Sequence, residues 1–330
     1  YPMDALEKEG LLKMDFLALR NLTVIRDTLK LIKMSNKGGI RQLSDINYSD
    51  GKTFDMISRG DTDGVFQLEN PGLQSFLRKF KPKSLDDIII TTSIYRPGPM
   101  AQIPEFLKNV SNPQNIRYIH PLLKQVTEPT FGAIVYQEQV MEIVRIMAGY
   151  SMARADMVRK VMAKKKPELM QKEREVFVNG LTDGDGNVVV PGAVRMGISE
   201  KEANDVFDYL ASFAQYAFNK SHAACYATLA YQTAYLKCHY PSEYLVALLM
   251  SLMGNSYKIN KYIKSFSKYG IRLLPPDVNK SRALFSVDGK DVRFGLAALK
   301  GVGIKFPNDI ETERAQGKFK SFADFLNRMA

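Results

Sequence analysis

Apolar side chains recur along this chain mostly with the period of an α-helix. Within residues 21–32, Leu22, Ile25, Leu29 and Ile32 fall on one face, which predicts an amphipathic helix. The same pattern predicts further helices over 73–80, 140–147, 151–167, 168–179, 241–253 and 259–268. Alternating or short apolar runs predict strands over 11–17, 65–68, 133–136, 272–276, 285–287 and 292–295. The predicted fold is mainly α with small β elements (α+β).

Polar residues predict where three of the helices begin. Ser84 with Asp87, and Ser199 with Glu202, have the spacing of a capping box, in which each side chain binds a backbone N–H group at the other position. Ser221 stands at a break in the apolar pattern and is predicted to cap the helix that follows it.

Proline and glycine mark two irregular segments. Residues 95–100 are Tyr-Arg-Pro-Gly-Pro-Met, which predicts a rigid turn that fixes the position of Arg96, with a purely structural corner as the simpler interpretation. Residues 181–197 interrupt the helical pattern and predict a hairpin insertion. A calcium loop is rejected there, because Val188 and Val194 stand where such a loop needs Gly and Glu.

The most strongly basic stretch covers residues 151–167. Ala155, Val158 and Met162 have helical spacing, so one face of the predicted helix is apolar. A single acid, Asp156, opposes six cations, namely Arg154, Arg159, Lys160, Lys164, Lys165 and Lys166. Such an array suits a polyphosphate or a nucleic-acid backbone. From this stretch alone, a solvated charged face is an equally open interpretation.

A second polar cluster interrupts the aromatic-rich region 204–240. Lys220, Ser221 and His222 lie there between apolar stretches, at the predicted start of a helix. Because helix N-termini attract phosphate, this break is a candidate phosphate site. Glu138 is a further candidate polar residue, for which stabilisation of a helix N-terminus is the simpler role.

Composition indicates a class of partner and a compartment. The 330 residues carry a net charge of +11, spread along the chain, which favours polyanionic partners. Cys225 and Cys238 lack metal-binding spacing and are predicted to be buried free thiols, as in a reducing cytoplasm. No apolar run approaches the length of a membrane span, so no membrane partner is expected. The abrupt start and end predict a piece of a longer protein.

Several segments, in chain order, resemble the C-family of bacterial replicative DNA polymerases, the alpha subunits of DNA polymerase III. The segments are LLKMDFLALRNLTVI, TDGVFQLENPG, YRPGPM, IVYQEQVM, ADMVRKVMAKKK, FNKSHAACYATLAYQTAYLK, LLPPDVNKS and LAALKGVG. They are long and specific, and together they span nearly the whole chain. Two departures are visible: Ala18 stands where the family usually has Gly, and residues 181–197 look like an insertion.

The resemblance implies a helical polymerase fingers domain with a C-terminal strand–helix remnant of the palm. Residues 1–34 would be the palm edge, 35–300 the fingers domain, and 301–330 the lead-in to a C-terminal helix-hairpin-helix region. Asp15 matches the third catalytic carboxylate, a ligand of the two Mg²⁺ ions used in phosphoryl transfer, and Lys13 lies on the same strand. The family's other two aspartates form an upstream Asp-x-Asp motif that this chain lacks, so the chain alone is expected to be inactive.

The resemblance also implies a nucleotide site. Arg96 and Glu138 would support that site or contact DNA. The implied partners are primer–template DNA, deoxynucleoside triphosphates and, in the full protein, the sliding clamp and other replisome subunits. The residues that would bind the incoming nucleotide are Arg159, Lys160, Lys164, Lys220, Ser221 and His222.

Two alternatives to this interpretation stay open. The chain could be a non-catalytic module that binds nucleic acid nonspecifically through its positive charge. It could also be a nucleotide-binding enzyme of another class, which no glycine-rich phosphate loop in the sequence supports.

Overall fold

The computed structural model describes residues 1–12, 14, 18–35, 38–164, 167–213 and 216–330. Within them the helices are α1 (Met3–Lys8), α2 (Arg20–Ser35), α3 (Gly51–Ser58), α4 (Pro71–Phe80), α5 (Leu85–Ile94), α6 (Ile103–Ser111), α7 (Lys124–Thr127), α8 (Gln137–Ala148), α9 (Met152–Lys164), α10 (Pro167–Asn179), α11 (Glu200–Phe213), α12 (Lys220–His239), α13 (Pro241–Ser251), α14 (Ser256–Phe266), α15 (Lys305–Arg314) and α16 (Phe322–Met329). The strands are β1 (Leu181–Thr182), β2 (Val188–Val190), β3 (Leu273–Leu274), β4 (Ser286–Asp288) and β5 (Asp291–Arg293). The predicted mainly α fold with small β elements is confirmed.

The chain divides into two compact units. The central unit consists of residues 47–234, and the terminal unit consists of residues 1–46 with 235–330. In the central unit, α8, α9, α10 and α11 each bury one face in a common apolar core, whose fully buried members include Val140, Ile143, Val158, Met162, Phe177, Phe207 and Leu210. This core fixes the helices α8 and α9, which carry the candidate residues Glu138, Arg159, Lys160 and Lys164.

The hairpin predicted over residues 181–197 is present, because β1 pairs with β2 in antiparallel register. The segment after it is tied to the core helices. The Gly192 N–H donates to the Ala148 carbonyl at 3.0 Å, and the Ala193 N–H donates to the Phe177 carbonyl at 2.8 Å. The base of the hairpin therefore anchors the C-terminal ends of α8 and α10.

In the terminal unit, α2 packs against α13, and the three strands predicted between residues 272 and 295 form one small sheet. Its strand order is β3-β5-β4, with β3 parallel and β4 antiparallel to β5. Arg272 joins the two parallel strands through an ion pair of 2.6 Å to Asp291. Hydrogen bonds from Arg272 hold the pKa of Asp291 below its usual range.

The helix α2 confirms a predicted helix, but its buried face differs from the prediction. Ile32 is buried as expected, together with Val24 and Thr28, whereas Leu22 is 49% exposed. Thr28 tolerates burial because its hydroxyl donates to the Val24 carbonyl at 2.7 Å. The prediction counted only apolar side chains and so missed this buried threonine.

Two predicted strands are wrong. Residues 65–68 form consecutive turns, which the buried Thr62 hydroxyl closes by donating to the Leu68 carbonyl. Residues 133–136 are buried, but only the last of them pairs, through an isolated bridge. Short apolar runs indicate burial here, and the backbone conformation is decided by neighbouring contacts.

The two cysteines differ. Cys238 is buried as predicted, but Cys225 is exposed, so the prediction of a buried thiol is wrong there. Cys225 lies on an outward face of α12, next to the half-buried Tyr226. Within the described ranges, no helix is long and apolar enough to cross a membrane.

Candidate polyphosphate-binding site

Helix α9 has a buried face and a charged face. Ala155, Val158 and Met162 are fully buried as predicted, which leaves Arg159 and Lys160 outside the core. Only three residues separate α8 from α9, and the two helices pack against each other in the common core. The charged face of α9 is therefore held beside α8.

One carboxylate orients two of the predicted cations. Arg159 donates from Nε and Nη2 to Oδ1 of Asp156 at 3.0 and 2.8 Å, and Lys160 Nζ lies 2.6 Å from the Oδ2 atom. The hydrogen bonds from Lys160 and then Arg159 lower the pKa of Asp156. The Lys160 side chain is 60% exposed, so a more highly charged anion can compete with Asp156 for it. Lys164 is the last residue of α9, and its side chain is not among those described.

Arg154, a third cation of α9, is used within the protein. Its Nη2 group donates to both carboxylate oxygens of Glu173 at 2.9 Å, and Tyr150 donates to the same carboxylate at 3.1 Å. Glu173 lies on α10 and is only 6% exposed. Burial and then the Glu173 charge raise the pKa of Tyr150. This network joins α9 to α10, so Arg154 is structural, whereas the Lys160 side chain is accessible to a ligand.

The N-terminus of α12 is joined to the N-terminus of α8. Tyr136 and Phe218 form a parallel bridge: the Phe218 N–H donates to the Val135 carbonyl at 2.8 Å, and the Gln137 N–H donates to the Phe218 carbonyl at 3.0 Å. The Gln139 side chain accepts the backbone N–H groups of Val135 and Tyr136 at 2.8 and 2.9 Å. The segment before α8 is therefore held from both sides.

Glu138 and Asn219 complete the N-terminus of α12. The Lys220 backbone N–H donates to both carboxylate oxygens of Glu138 at 3.1 Å. Glu138 therefore stabilises the N-terminus of α12, and stabilisation of a helix N-terminus is the simpler of the roles considered for it. The His222 N–H donates to Oδ1 of Asn219 at 2.8 Å. Asn219 is therefore the capping residue. The prediction that Ser221 caps this helix is wrong, because the helix already begins at Lys220.

Aromatic rings surround the predicted side chains. Lys220 Nζ lies 5.4 Å from the centre of the Tyr136 ring. The exposed His222 imidazole stacks on Tyr226 with 4.3 Å between ring centres, and it meets the edge of Phe218 at 5.3 Å. These contacts restrict both side chains while leaving their polar atoms in solvent.

Arg96 reaches the same segment from the turn before α6. Its guanidinium carbon lies 3.6 Å from the centre of the Phe218 ring, and burial lowers the pKa of Arg96. The turn also closely contacts Tyr216, two residues before Phe218, since a Cβ at Gly98 would lie 2.2 Å from the Tyr216 ring. Gly98 has φ +100°, which suits glycine. The predicted turn at residues 95–100 therefore does hold Arg96 in one position.

The structure brings together most of the described candidates. Arg96, Glu138, Lys220 and His222 lie in one connected cluster, with Ser221 exposed in the first turn of α12. Sequence reasoning missed residues whose role depends on distant partners, namely Tyr136, Gln139, Phe218, Asn219 and Tyr226. Of these only Asn219 has a local signal, because Asn is a preferred capping residue.

The catalytic prediction falls on residues that the structure does not describe. Lys13 and Asp15 lie outside the described ranges, as does most of the strand predicted over 11–17. Among the described residues, no group of three or more His, Cys, Asp or Glu side chains could hold a metal ion.

Comparison with known proteins identifies the family. Residues 21–185 match the bacterial DNA polymerase III alpha subunit finger domain, and residues 270–330 match a helix-hairpin-helix motif. The first match alone covers half of the 330 residues. The chain belongs to the bacterial DNA polymerase III alpha subunit family. The resemblance seen in the sequence motifs is thereby confirmed.

Individual relatives agree with this assignment. The DNA polymerase III subunit alpha of Bacillus subtilis (strain 168) is 43% identical over 329 residues, covering 100% of this chain and 28% of that protein. The subunit of Thermus aquaticus is 44% identical over 335 residues, covering 100% of this chain and 26% of that protein. The subunit of Campylobacter jejuni is 43% identical over 336 residues, and the chain covers 27% of it. The chain thus spans little more than a quarter of the length of these relatives.

Proposed function

We propose that this chain is the fingers region, with an edge of the palm, of a DNA-directed DNA polymerase. The complete enzyme adds deoxynucleoside triphosphates to a primer 3′-hydroxyl during chromosomal replication, and this part binds the incoming nucleotide and DNA. The observation that carries the proposal is the bridge between Tyr136 and Phe218. It joins the N-terminus of α12 to that of α8, the helix against which α9 and its cations pack.

The cationic side chains neutralise the triphosphate. Arg159, Lys160 and Lys164 balance charge on the β- and γ-phosphates and align the leaving group, and Asp156 holds the first two cations until the nucleotide replaces it. Lys220, Ser221 and His222 line the same site from the first turn of α12, where the positive end of the helix dipole adds to the attraction. Arg96 and Glu138 support the segment that carries them.

Asp15 is proposed as the third catalytic carboxylate, next to Lys13. With the Asp-x-Asp pair, which is not part of this chain, it would hold Mg²⁺; the ion would stabilise the developing charge and activate the attacking hydroxyl. The chain alone is then inactive, because it supplies one of the three carboxylates. The protein's own contribution here is to bind and orient the triphosphate.

The remaining predictions follow from the same proposal. Residues 1–34 form the palm edge, 35–300 the fingers domain and 301–330 the lead-in to a helix-hairpin-helix region, although the helix-hairpin-helix match itself begins at residue 270. Primer–template DNA and, in the full protein, the sliding clamp and other replisome subunits are the partners. The compartment is the cytoplasm.

Primer extension by the full-length polymerase that contains this chain tests the proposal. Asp15→Asn removes a metal-binding charge, so extension is expected to fall by several orders of magnitude while the affinity for primer–template stays within about twofold. Normal extension by this variant would show that residue 15 is structural. A nonspecific nucleic-acid-binding module, the alternative, predicts steeply salt-dependent DNA binding with no contribution of a matching triphosphate to the stability of the complex.

A further inference from the structure

Helix α14 carries an unusual surface in the terminal unit. It lies outside both matched segments, which end at residue 185 and begin again at residue 270. Its inner side is apolar, with Ile259, Tyr262 and Phe266 buried. Its outer side carries Lys258, Lys261 and Lys264, all exposed.

The charged side chains on this outer side are all positive. The sequence contains no Asp or Glu from residue 244 to residue 276. Lys258 and Lys264 form no ion pair with any other residue that the structure describes. By contrast, Arg272, just beyond the helix, is paired with Asp291. A solvated helix face ordinarily mixes both signs, so this face is suited to a polyanion.

An exposed aromatic ring lies within the lysine face. Tyr257 is 81% exposed, although it stands next to the well-packed inner side of the same helix. Tyr257, Lys261 and Lys264 are related as i, i+4 and i+7, so they form one line along the helix surface. The three lysines follow one another at steps of about 4.5 Å along the helix axis, so they form a row of positive charge that can follow a phosphate backbone.

We propose that this face of α14, defined by Tyr257, Lys258, Lys261 and Lys264, binds single-stranded DNA. The lysines contact successive phosphates, and a base stacks on the Tyr257 ring. A duplex offers the same phosphates but keeps its bases stacked inside, so it leaves the exposed tyrosine unused. The inference rests on the proposed function in one respect, because a DNA polymerase has DNA as its polyanionic partner. It adds a contact for the unpaired template on the terminal unit, whereas the nucleotide site belongs to the central unit.

Fluorescence anisotropy with the 330-residue chain tests the inference. The probes are a labelled oligothymidylate and a blunt duplex of equal length, titrated at several salt concentrations. Lys258→Gln with Lys264→Gln is expected to reduce the slope of log affinity against log salt by about 1.4 on the single strand, since each lost phosphate contact is worth about 0.7. Tyr257→Ser is expected to weaken single-strand binding about tenfold and to leave duplex binding unchanged.

Two matched variants control for charge and shape. Lys172→Gln with Lys201→Gln removes two exposed lysines from α10 and α11 and is expected to leave the slope unchanged. Tyr257→Phe keeps a stacking ring and is expected to retain the wild-type affinity. All of these side chains are exposed, so circular dichroism is expected to show unchanged folding.

Three outcomes would overturn the inference. The first is an unchanged salt slope in the α14 lysine variant, and the second is an equal effect of both lysine pairs. The third is a Tyr257→Ser variant that binds the single strand normally. The nucleotide site is tested separately by the response of primer extension to nucleotide concentration. If primer extension contradicts the nucleotide site but the α14 variants bind DNA as expected, the proposed function is wrong and the DNA-binding face stands. If the α14 variants contradict the DNA-binding face but primer extension supports the nucleotide site, the face is wrong and the proposed function stands.

Discussion

At the scale of single residues, Glu173 determines where α9 lies. It is nearly inaccessible to solvent, and it accepts two hydrogen bonds from Arg154 and one from Tyr150. These donors satisfy the buried carboxylate, whereas either partner left alone would be an uncompensated buried group. The ion pair between Arg154 and Glu173 therefore fixes the helix that carries Arg159 and Lys160.

Glu173→Ala is expected to destabilise the protein by about 3 kcal/mol, because it leaves the Arg154 guanidinium partly buried without its counter-ion. Glu175→Ala, on the exposed side of the same helix, is expected to change stability by less than about 0.5 kcal/mol. Urea unfolding followed by circular dichroism measures both. Equal losses in the two variants would contradict the structural role of Glu173.

Glu138→Ala removes the acceptor of the Lys220 backbone N–H and a negative charge at a helix N-terminus. We expect a loss of about 1 kcal/mol in stability, as for a lost helix cap. Glu138→Gln keeps an acceptor oxygen and is expected to lose less. Thermal unfolding of both variants checks the order, and a glutamine variant as unstable as the alanine variant would contradict it.

Tyr209 makes stability depend on pH in the alkaline range. Burial, and then the charge of Glu105, raise the pKa of Tyr209 to about 12. An unfolded tyrosine ionises near pH 10. Because the folded state holds the proton more tightly, this contribution to stability is complete below pH 10 and is lost between pH 10 and about 12.

Tyr209→Phe is therefore expected to show a smaller loss of stability than wild type between pH 10 and 12, measured by urea unfolding at each pH. Tyr257→Phe, which changes an exposed phenol, serves as the matched control and is expected to follow the wild-type curve. If Tyr209→Phe also follows the wild-type curve, the Tyr209 hydroxyl does not contribute as argued.

Local signals predicted some residue roles and missed others. The capping boxes at Ser84 and Ser199 are present as predicted, because both partners of each box lie within three residues. The cap of α12 was assigned to Ser221 instead of Asn219, since both are good capping residues and only the true helix start distinguishes them.

At the scale of elements, the base of the hairpin is packed more tightly than the hairpin itself. Gly192 has φ +82°, and a Cβ there would lie 2.3 Å from the Gly180 nitrogen, a backbone atom that cannot move aside. Gly197 has a similar φ of +86°, but a Cβ there would meet no atom within 4 Å. A comparison of alanine substitutions at Gly192 and Gly197 therefore separates the cost of backbone strain from the cost of a steric clash.

Gly197→Ala is expected to lower the free energy of unfolding by about 1 kcal/mol, because alanine is strained in the left-handed backbone conformation. Gly192→Ala carries the same strain and adds the clash, so it is expected to destabilise by at least about 1 kcal/mol more. The difference in urea midpoint between the two variants measures the clash. Equal midpoints would show that the contact between residues 180 and 192 is loose.

Elements were predictable where their pattern is local. The helical period predicted α4, α9, α10 and α14, because the apolar residues of each helix recur at helical spacing and so define its buried face. The run 133–136 was predicted as a strand, but its pairing partner, Phe218, lies 82 residues beyond Tyr136, the last residue of the run. A pattern within the run contains no information about that partner.

At the scale of the whole molecule, the candidate site is a product of packing. The basic stretch and the polar break each indicated phosphate binding from their own sequence. Their proposed association depends on the α8–α9 pair and on the bridge at Phe218, which no local pattern contains. The aromatic rings around Lys220 and His222 belong to segments whose sequence indicates only a short strand and an aromatic-rich region, yet these rings position polar groups.

Nucleotide-titrated primer extension by the full-length polymerase tests the central claim, that α9 and α12 bind one triphosphate. Each of Arg159→Ala and Lys220→Ala removes a charged contact to phosphate worth about 2 kcal/mol, so the KM for the nucleotide is expected to rise at least about tenfold at saturating DNA. Lys201→Ala, at the far end of α11, is expected to leave the KM unchanged. If either site variant keeps the wild-type KM, or if the control variant changes it equally, the claim of a single triphosphate site is contradicted.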